Sequence, residues 1–273
     1  MRLLLLYILS VSAVSHAQMS FVASDSIVGK FNQFSVDNLG RVYTVNSDVM
    51  IQFSANLDTL FTASLKSFRP SSIESRKSFR TLLFDDERSL IKFLDNTLTD
   101  YHEDIDLINL DIQQPQLVCE SFVGNGFWVM DVASSQLVKF DQELNRVLVQ
   151  ENILQFIQQK TGTEAVPIQM VESNDNLYLA VPEVGVLIFD AFGTYLKTYP
   201  CHPKWVSAQK DQLYILDEQN ALTVVKMDQL MEPVFTHQFS FDTNQFYLIG
   251  SKMYLLQNEA IIIGKFERVA PKK

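Results

Sequence analysis

Few residues in this chain are of types that carry out chemistry, and their spacing is unhelpful for it. The histidines are His16, His102, His202 and His237. No pair of them has the separation of a metal site, and there is no His-Glu-x-x-His. A Gly-x-Ser-x-Gly elbow, a Gly-x-Gly-x-x-Gly turn and a phosphate-binding P-loop are all missing from the sequence. Cys201-His202-Pro203 sets a thiol beside an imidazole. Neighbours on a chain often point apart, however, and no third residue is in place to orient them. The stretch Asp95–Asp111 contains Asp95, Asp100, Glu103, Asp104, Asp106 and Asp111. It lacks both the alternating-aspartate spacing and the closing glutamate of a calcium loop. From these residues we expect no catalytic group, no cofactor and no metal ligand.

Two other segments have the chemistry of binding. Ser64–Arg80 carries Lys66, Arg69, Arg76, Lys77 and Arg80 against one acid, Glu74. It reads as a basic surface loop. Such a loop either simply faces water or meets an anionic surface, a lipid headgroup or an acidic protein face. Exposed charges contribute little to stability, so replacing them is expected to leave the melting temperature nearly unchanged. Glu151–Pro167 puts Ile153, Leu154, Phe156 and Ile157 on one broad helical face, with Gly162 as the stop. That face either caps the edge of the core or, through Phe156 and Ile157, docks a partner.

The elements that hold these segments repeat. An aromatic sits inside an apolar run at Tyr43, Phe84, Trp128, Tyr178, Tyr214 and Tyr254, at separations of 36 to 50 residues. After each comes a turn and a second run ending at Phe53, Phe93, Phe140, Phe189, Met227 or Phe266. Aspartate closes the first run at Asp85, Asp131 and Asp217, and follows the second directly at Asp141, Asp190 and Asp228. A period near forty built from strand-like units is the mark of a β-propeller. One such sheet cannot bury both of its faces, so six copies must stack around an axis. The expected innermost strands are Phe31–Val36, Ser71–Glu74, Gln116–Phe122, Pro167–Glu172, Lys204–Ala208 and Gln245–Gly250. The chain ends soon after Ala260–Phe266, while the segment around Ser20–Ala23 has no blade of its own. The fold expected is all-β, a single-domain six-bladed β-propeller over residues 18–273, with its ring closed by the N-terminal strand in the last blade.

The blade grammar in "LYILD" (Leu213–Asp217) and "QLVKFD" (Gln136–Asp141) resembles that of the six-bladed NHL-like propellers of secreted bacterial proteins. The resemblance covers nearly all of the chain. Family members carry a glycine near the start of each blade; here Gly40 and Gly126 stand in such places, which makes this a divergent relative. The resemblance implies fold and leaves function open.

Residues 1–17 read as a secretory signal peptide. Arg2 precedes the apolar run Leu3–Val14, and Ser15-His16-Ala17 forms a small-residue cleavage site. That run is short for a membrane span, and no later stretch is apolar enough to be one. A formal net charge of −10 argues against nucleic-acid binding. Cys119 and Cys201 fall on non-adjacent parts of the repeat and are expected to stay unpaired. The function expected is a non-catalytic, protein-binding scaffold in a cell-envelope assembly, periplasmic or outer-membrane-associated. The alternative is a channel-type hydrolase or lyase acting on a small or carbohydrate substrate, since such sites assemble from several blades and leave no linear motif.

Overall fold

The computed structural model describes residues 19–268 apart from Ser78, Gly124, Thr163 and Asn174. The leader expected over residues 1–17 lies outside them. Among the described residues, twenty-four strands form six antiparallel sheets of four. Blade 1 is β2 (Gln33–Val36), β3 (Val42–Asn46), β4 (Val49–Phe53) and β5 (Thr59–Ser64). Blade 2 is β6 (Ser72–Glu74), β7 (Arg80–Asp85), β8 (Leu90–Asp95) and β9 (Ile105–Asp106). Blade 3 is β10 (Pro115–Glu120), β11 (Phe127–Asp131), β12 (Gln136–Phe140) and β13 (Arg146–Gln150). Blade 4 is β14 (Gln169–Ser173), β15 (Asn176–Val181), β16 (Gly185–Asp190) and β17 (Tyr195–Tyr199). Blade 5 is β18 (Pro203–Gln209), β19 (Gln212–Asp217), β20 (Ala221–Lys226) and β21 (Pro233–Gln238). Blade 6 is β22 (Gln245–Ile249), β23 (Lys252–Gln257) and β24 (Ala260–Arg268), and its outermost strand is β1 (Met19–Val28). The ring is thus closed by the N-terminal strand, in register from Met19 opposite Arg268 to Val28 opposite Ala260.

The repeated aspartates have a local cause. In the turns between third and fourth strands, residue i accepts amides from i+2 and i+4 through its side chain, and residue i+3 is left-handed. Ser54, Asp95 and Asp190 show the full pattern, with Leu57, Leu98 and Gly193 left-handed. Asp141 with Leu144 and Asp228 with Met231 are variants of the same turn. An Asx-type bond of this kind stabilises a turn without any ligand. A bulge at the preceding residue accompanies it at Phe53, Phe140 and Phe189. "Phe-Asp" is therefore a bulge followed by a turn cap.

The second-strand aromatics lie between blades. Tyr43, Phe84, Trp128, Tyr178 and Tyr254 are buried, and Tyr214 is half-buried. Six apolar clusters fill the six gaps between neighbouring blades, and the one holding Ile27, Val36 and Tyr254 joins blade 6 to blade 1. The continuous apolar runs suit strands covered on both faces.

A second device runs around the axis. At each gap a side chain near one innermost strand bonds to the next. Ser75 Oγ meets Ser35 Oγ at 2.8 Å between blades 1 and 2, and Glu120 N–H donates to Glu74 Oε2 at 2.6 Å between blades 2 and 3. Gln116 donates to Pro167 O, Gln169 both donates to and accepts from the Val206 backbone, and Trp205 Nε1 donates to Phe246 O at 2.9 Å. Gln245 donates to Gln33 at 2.9 Å and completes the ring. Each such bond contributes about 0.5–1.5 kcal/mol net.

Candidate functional site

Strand order sends alternate connections to opposite ends of the ring. One end carries the first-to-second and third-to-fourth strand connections, including Phe79. The other carries the remaining connections and the helix α1 (Ile153–Thr161). We call these the Phe79 face and the helix face.

The basic segment does not form one loop, because β6 runs through its middle. Lys66 and Arg69 lie on the helix face, exposed, with the Arg69 amide bonded to Asp85. Arg76, Lys77 and Arg80 lie on the Phe79 face and are largely covered, with side chains 19%, 19% and 15% exposed. The expectation of a solvated basic loop is corrected for these three, because each is held by a buried or half-buried carboxylate and by a carbonyl of another blade. Arg76 forms an ion pair with Glu74, and its other guanidinium arm donates to Glu172 O at 2.7 Å. Arg80 pairs with Glu120 and donates to Asn125 O at 2.8 Å. Lys77 donates to Ser121 O at 2.7 Å and lies 3.6 Å from Glu120.

Glu120 is fully buried, and its Oε2 has no hydrogen-bond partner. Burial pushes its carboxyl above the ordinary value, and Arg80 opposes that shift. Deeper in, Glu172 accepts the Phe122 and Val123 amides and the Trp128 indole N–H, and Lys139 stands 3.7 Å away over the Trp128 ring. Tyr247 in the channel is pushed up by burial, with Glu74 adding to the effect. The channel cavity is about 180 Å3 and is lined by innermost-strand residues of all six blades, among them Gln33, Glu74, Gln116, Gln169, Trp205 and Tyr247.

Aromatic groups crown this network. Phe122 lies beneath Arg76 at 4.8 Å and Lys77 at 5.1 Å, and is itself partly exposed. Phe79 is 80% exposed, Tyr101 56% and Leu39 62%. Phe79, Tyr101, Phe122, Arg76, Lys77 and Arg80 line one cavity of about 450 Å3. A second cavity of about 590 Å3 adjoins it, sharing Arg80, Tyr101, Asn125 and Gln142. The two form a continuous groove across blades 2 and 3.

On the other face, α1 ends at left-handed Gly162, whose amide closes on Gln158 O. Ile153 and Ile157 are fully buried in the cluster between blades 3 and 4, with Leu154 and Phe156 packed against it. The expectation that Ile157 is offered to a partner is corrected by this burial. Phe156 is half-buried, in edge contact with Tyr195 at 5.0 Å. The acids of Asp95–Asp111 are dispersed among turn caps and pairs with Lys92. No cluster of potential metal ligands is present among the described residues. Cys119 and Cys201 are both free thiols.

Sequence reasoning missed the exposed aromatic groove and the pairing of the basic residues. A signal for the pairing was present: Arg80 and Glu120 are 40 residues apart, as are Ser35 and Ser75, close to one blade repeat. Complementary residues one repeat apart face each other across a blade gap.

Comparison with solved structures agrees with this architecture. The fold is similar to virginiamycin B lyase from Staphylococcus aureus, at TM-score 0.58 and 7% identity over 92% of this chain and 100% of that one. It is also similar to BBS1N, solved in complex with ARL6DN, at TM-score 0.57 and 12% identity over 84% and 76%. Chaetomium thermophilum Raptor gives TM-score 0.59 and 10% identity over 92% of this chain, which spans 29% of that protein. The chain is a divergent six-bladed propeller. At these identities the likeness is one of fold. No protein-family model matches the chain, and no curated protein matches it in sequence.

Proposed function

We propose that the protein is a non-catalytic, protein-binding propeller and part of a cell-envelope assembly, periplasmic or outer-membrane-associated. One observation carries the reading: the groove on the Phe79 face, where large aromatic side chains stand in water around the channel mouth. Exposed apolar patches beside fixed polar groups are what protein interfaces use, and aromatic residues are enriched there. The channel offers less to a reaction. Its Arg76 is bound to Glu74 and to a backbone carbonyl, and its glutamines bond to neighbouring blades. BBS1N, similar in fold, was solved with a protein bound, which agrees with this use of a propeller. Export is inferred from residues 1–17 of the sequence. Among the described residues no helix is long and apolar enough to cross a membrane.

The test is a Phe79→Ser/Tyr101→Ser double variant. Both side chains are exposed, so stability should change by less than about 0.5 kcal/mol per site. Proteins that co-purify with the wild type from gently solubilised envelopes should be lost. The reading is wrong if the double variant keeps every partner. It is equally wrong if the wild type purifies alone and turns over a small substrate.

A further inference from the structure

We infer that the groove on the Phe79 face takes a protein segment bearing an apolar side chain next to a lysine or arginine: the apolar group enters the aromatic lobe and the cation enters the adjoining lobe. The inference rests on the protein-binding reading above and names the chemistry of the partner.

The second lobe exists because blade 2 is incomplete. Its outer strand β9 is two residues long, whereas β5, β13, β17 and β21 have five or six. Leu90 and Ile91 of β8 pair with it, and after a gap at 102–104 the ladder resumes through the Leu94–Asp100 bridge, Tyr101 N–H to Phe93 O and Asp95 N–H to Thr99 O. The cavity of about 590 Å3 opens where that outer strand is interrupted. Its floor includes Phe93, Phe127 and Leu144, and its rim carries Glu103, Asp104, Asp106 and Asp141.

The charges around this lobe do not cancel. Arg80 lines it but is paired with Glu120. Asp104 is paired with Lys92 at 2.5 Å. Asp106 and Asp141 accept bonds from local turn groups, which add no positive charge. No ion pair engages Glu103, Asp106 or Asp141 among the described residues, and Arg146, which donates to the Leu110 carbonyl of this lobe, offsets one of these three charges and leaves the rim acidic. An apolar floor beneath a carboxylate rim suits a long cationic side chain, which buries its methylenes and keeps its charged head at the edge. The exposed ring of Tyr101 stands at the same rim and favours a cation further.

The aromatic lobe has the opposite balance. Its charged residues, Arg76, Lys77 and Arg80, are all cations. Glu74 and Glu120 offset two of these three charges from below. What this lobe presents is therefore ring surface, with a weak preference against a second cation. The two lobes together select order as well as type: apolar over the first-to-second strand loops of blades 2 and 3, basic over their outer loops. This partner is opposite in charge to the one expected from the basic segment alone.

The experiment uses the full chain expressed in its native host, with a photo-crosslinking phenylalanine analogue placed at Phe79 in one variant and at Gln142 in another. Both positions line the groove, Phe79 in the aromatic lobe and Gln142 at the boundary where the acidic lobe opens from it. Sequencing of the crosslinked segments by mass spectrometry should find the same partner in both, with an apolar residue at the Phe79 crosslink and Lys or Arg at the Gln142 crosslink. A Glu103→Lys change should reduce the Gln142 crosslink by about five-fold, as like charge is brought to the rim, and raised salt should act in the same direction. If a single segment is captured but lacks basic residues, or if Glu103→Lys leaves the yield unchanged, the partner chemistry is wrong while the binding face stands. If neither position captures a protein, the binding face is wrong as well.

Discussion

Arg80 and Arg69 have the same charge and lie eleven positions apart in sequence, yet their replacement by alanine should differ sharply. Arg69 is exposed, and the bond recorded for it uses its backbone, so its loss should cost less than about 0.5 kcal/mol. Arg80 is the nearest counter-ion of Glu120, which is fully buried and already has one oxygen without a partner. Removing one member of a buried pair costs about 3–5 kcal/mol, because a charge is left behind in the interior. Lys77 at 3.6 Å stays to offset part of this, so we expect about 2–3 kcal/mol for Arg80→Ala. In a domain of this size that lowers the melting temperature by roughly 5–10 °C. Much of the cost lies in the stranded charge, so Arg80→Ala/Glu120→Gln should be more stable than Arg80→Ala alone.

The same physics fixes a pH dependence. The folded-state value of Glu120 is raised above 4.5, and burial is the main cause. The folded protein therefore binds this proton at a pH where the unfolded chain has released it. Stability from this group is greatest below the ordinary carboxylate range and is lost as pH rises towards the folded value. Removing Arg80 takes away an opposing influence and widens that window. The deficit of Arg80→Ala should therefore be largest near neutrality and shrink in acid. Urea unfolding of the four proteins of the cycle, at neutral and acidic pH, measures all of this. An Arg80→Ala deficit that is independent of pH and additive with Glu120→Gln would refute the argument.

Three further outcomes follow from other parts of the structure. Ile157→Ala should cost about 2–5 kcal/mol in urea unfolding, because its side chain is fully buried between blades 3 and 4; a near-zero cost would mean α1 is a detachable docking element. Gln169→Leu removes both bonds to the Val206 backbone and leaves its polar groups without that partner, so it should cost about 1–3 kcal/mol, and a neutral result would show that the axial bonds add nothing. Burial holds the Cys201 thiol at about 12, so alkylation of the native protein at mildly alkaline pH should be slow, while both thiols should react after denaturation without reductant.

The ring was legible in the sequence because its cause is periodic. Tyr43 through Tyr254 each sit where a second strand meets the next blade, so packing imposes the same residue class once per repeat. The aspartates were legible for a local reason, since the turn cap needs a short side-chain acceptor three residues before a left-handed one. The charged network was not, because Glu74, Arg76, Lys77, Arg80 and Glu120 look like one basic loop and two stray acids until a strand separates them and the blade spacing brings them together. The groove escaped notice for a different reason. It comes from a strand that is too short, and a sequence pattern shows what a strand contains more readily than what it lacks.

The closing strand β1 also sets the order in which the protein can be made. Five blades are assembled from residues consecutive in the chain, but the sixth joins Ser24 to Ile263, a separation of 239 residues. Contacts at such range are entropically costly to form and slow folding. During synthesis β1 emerges long before its partner β24, so β1 stays unpaired until β24 has been made. An unpaired strand edge is where chains join to one another. The latch that gives the finished ring its closure thus leaves the growing chain with its most adhesive surface exposed for longest, and a helper that shields β1 would act on yield before it acted on stability.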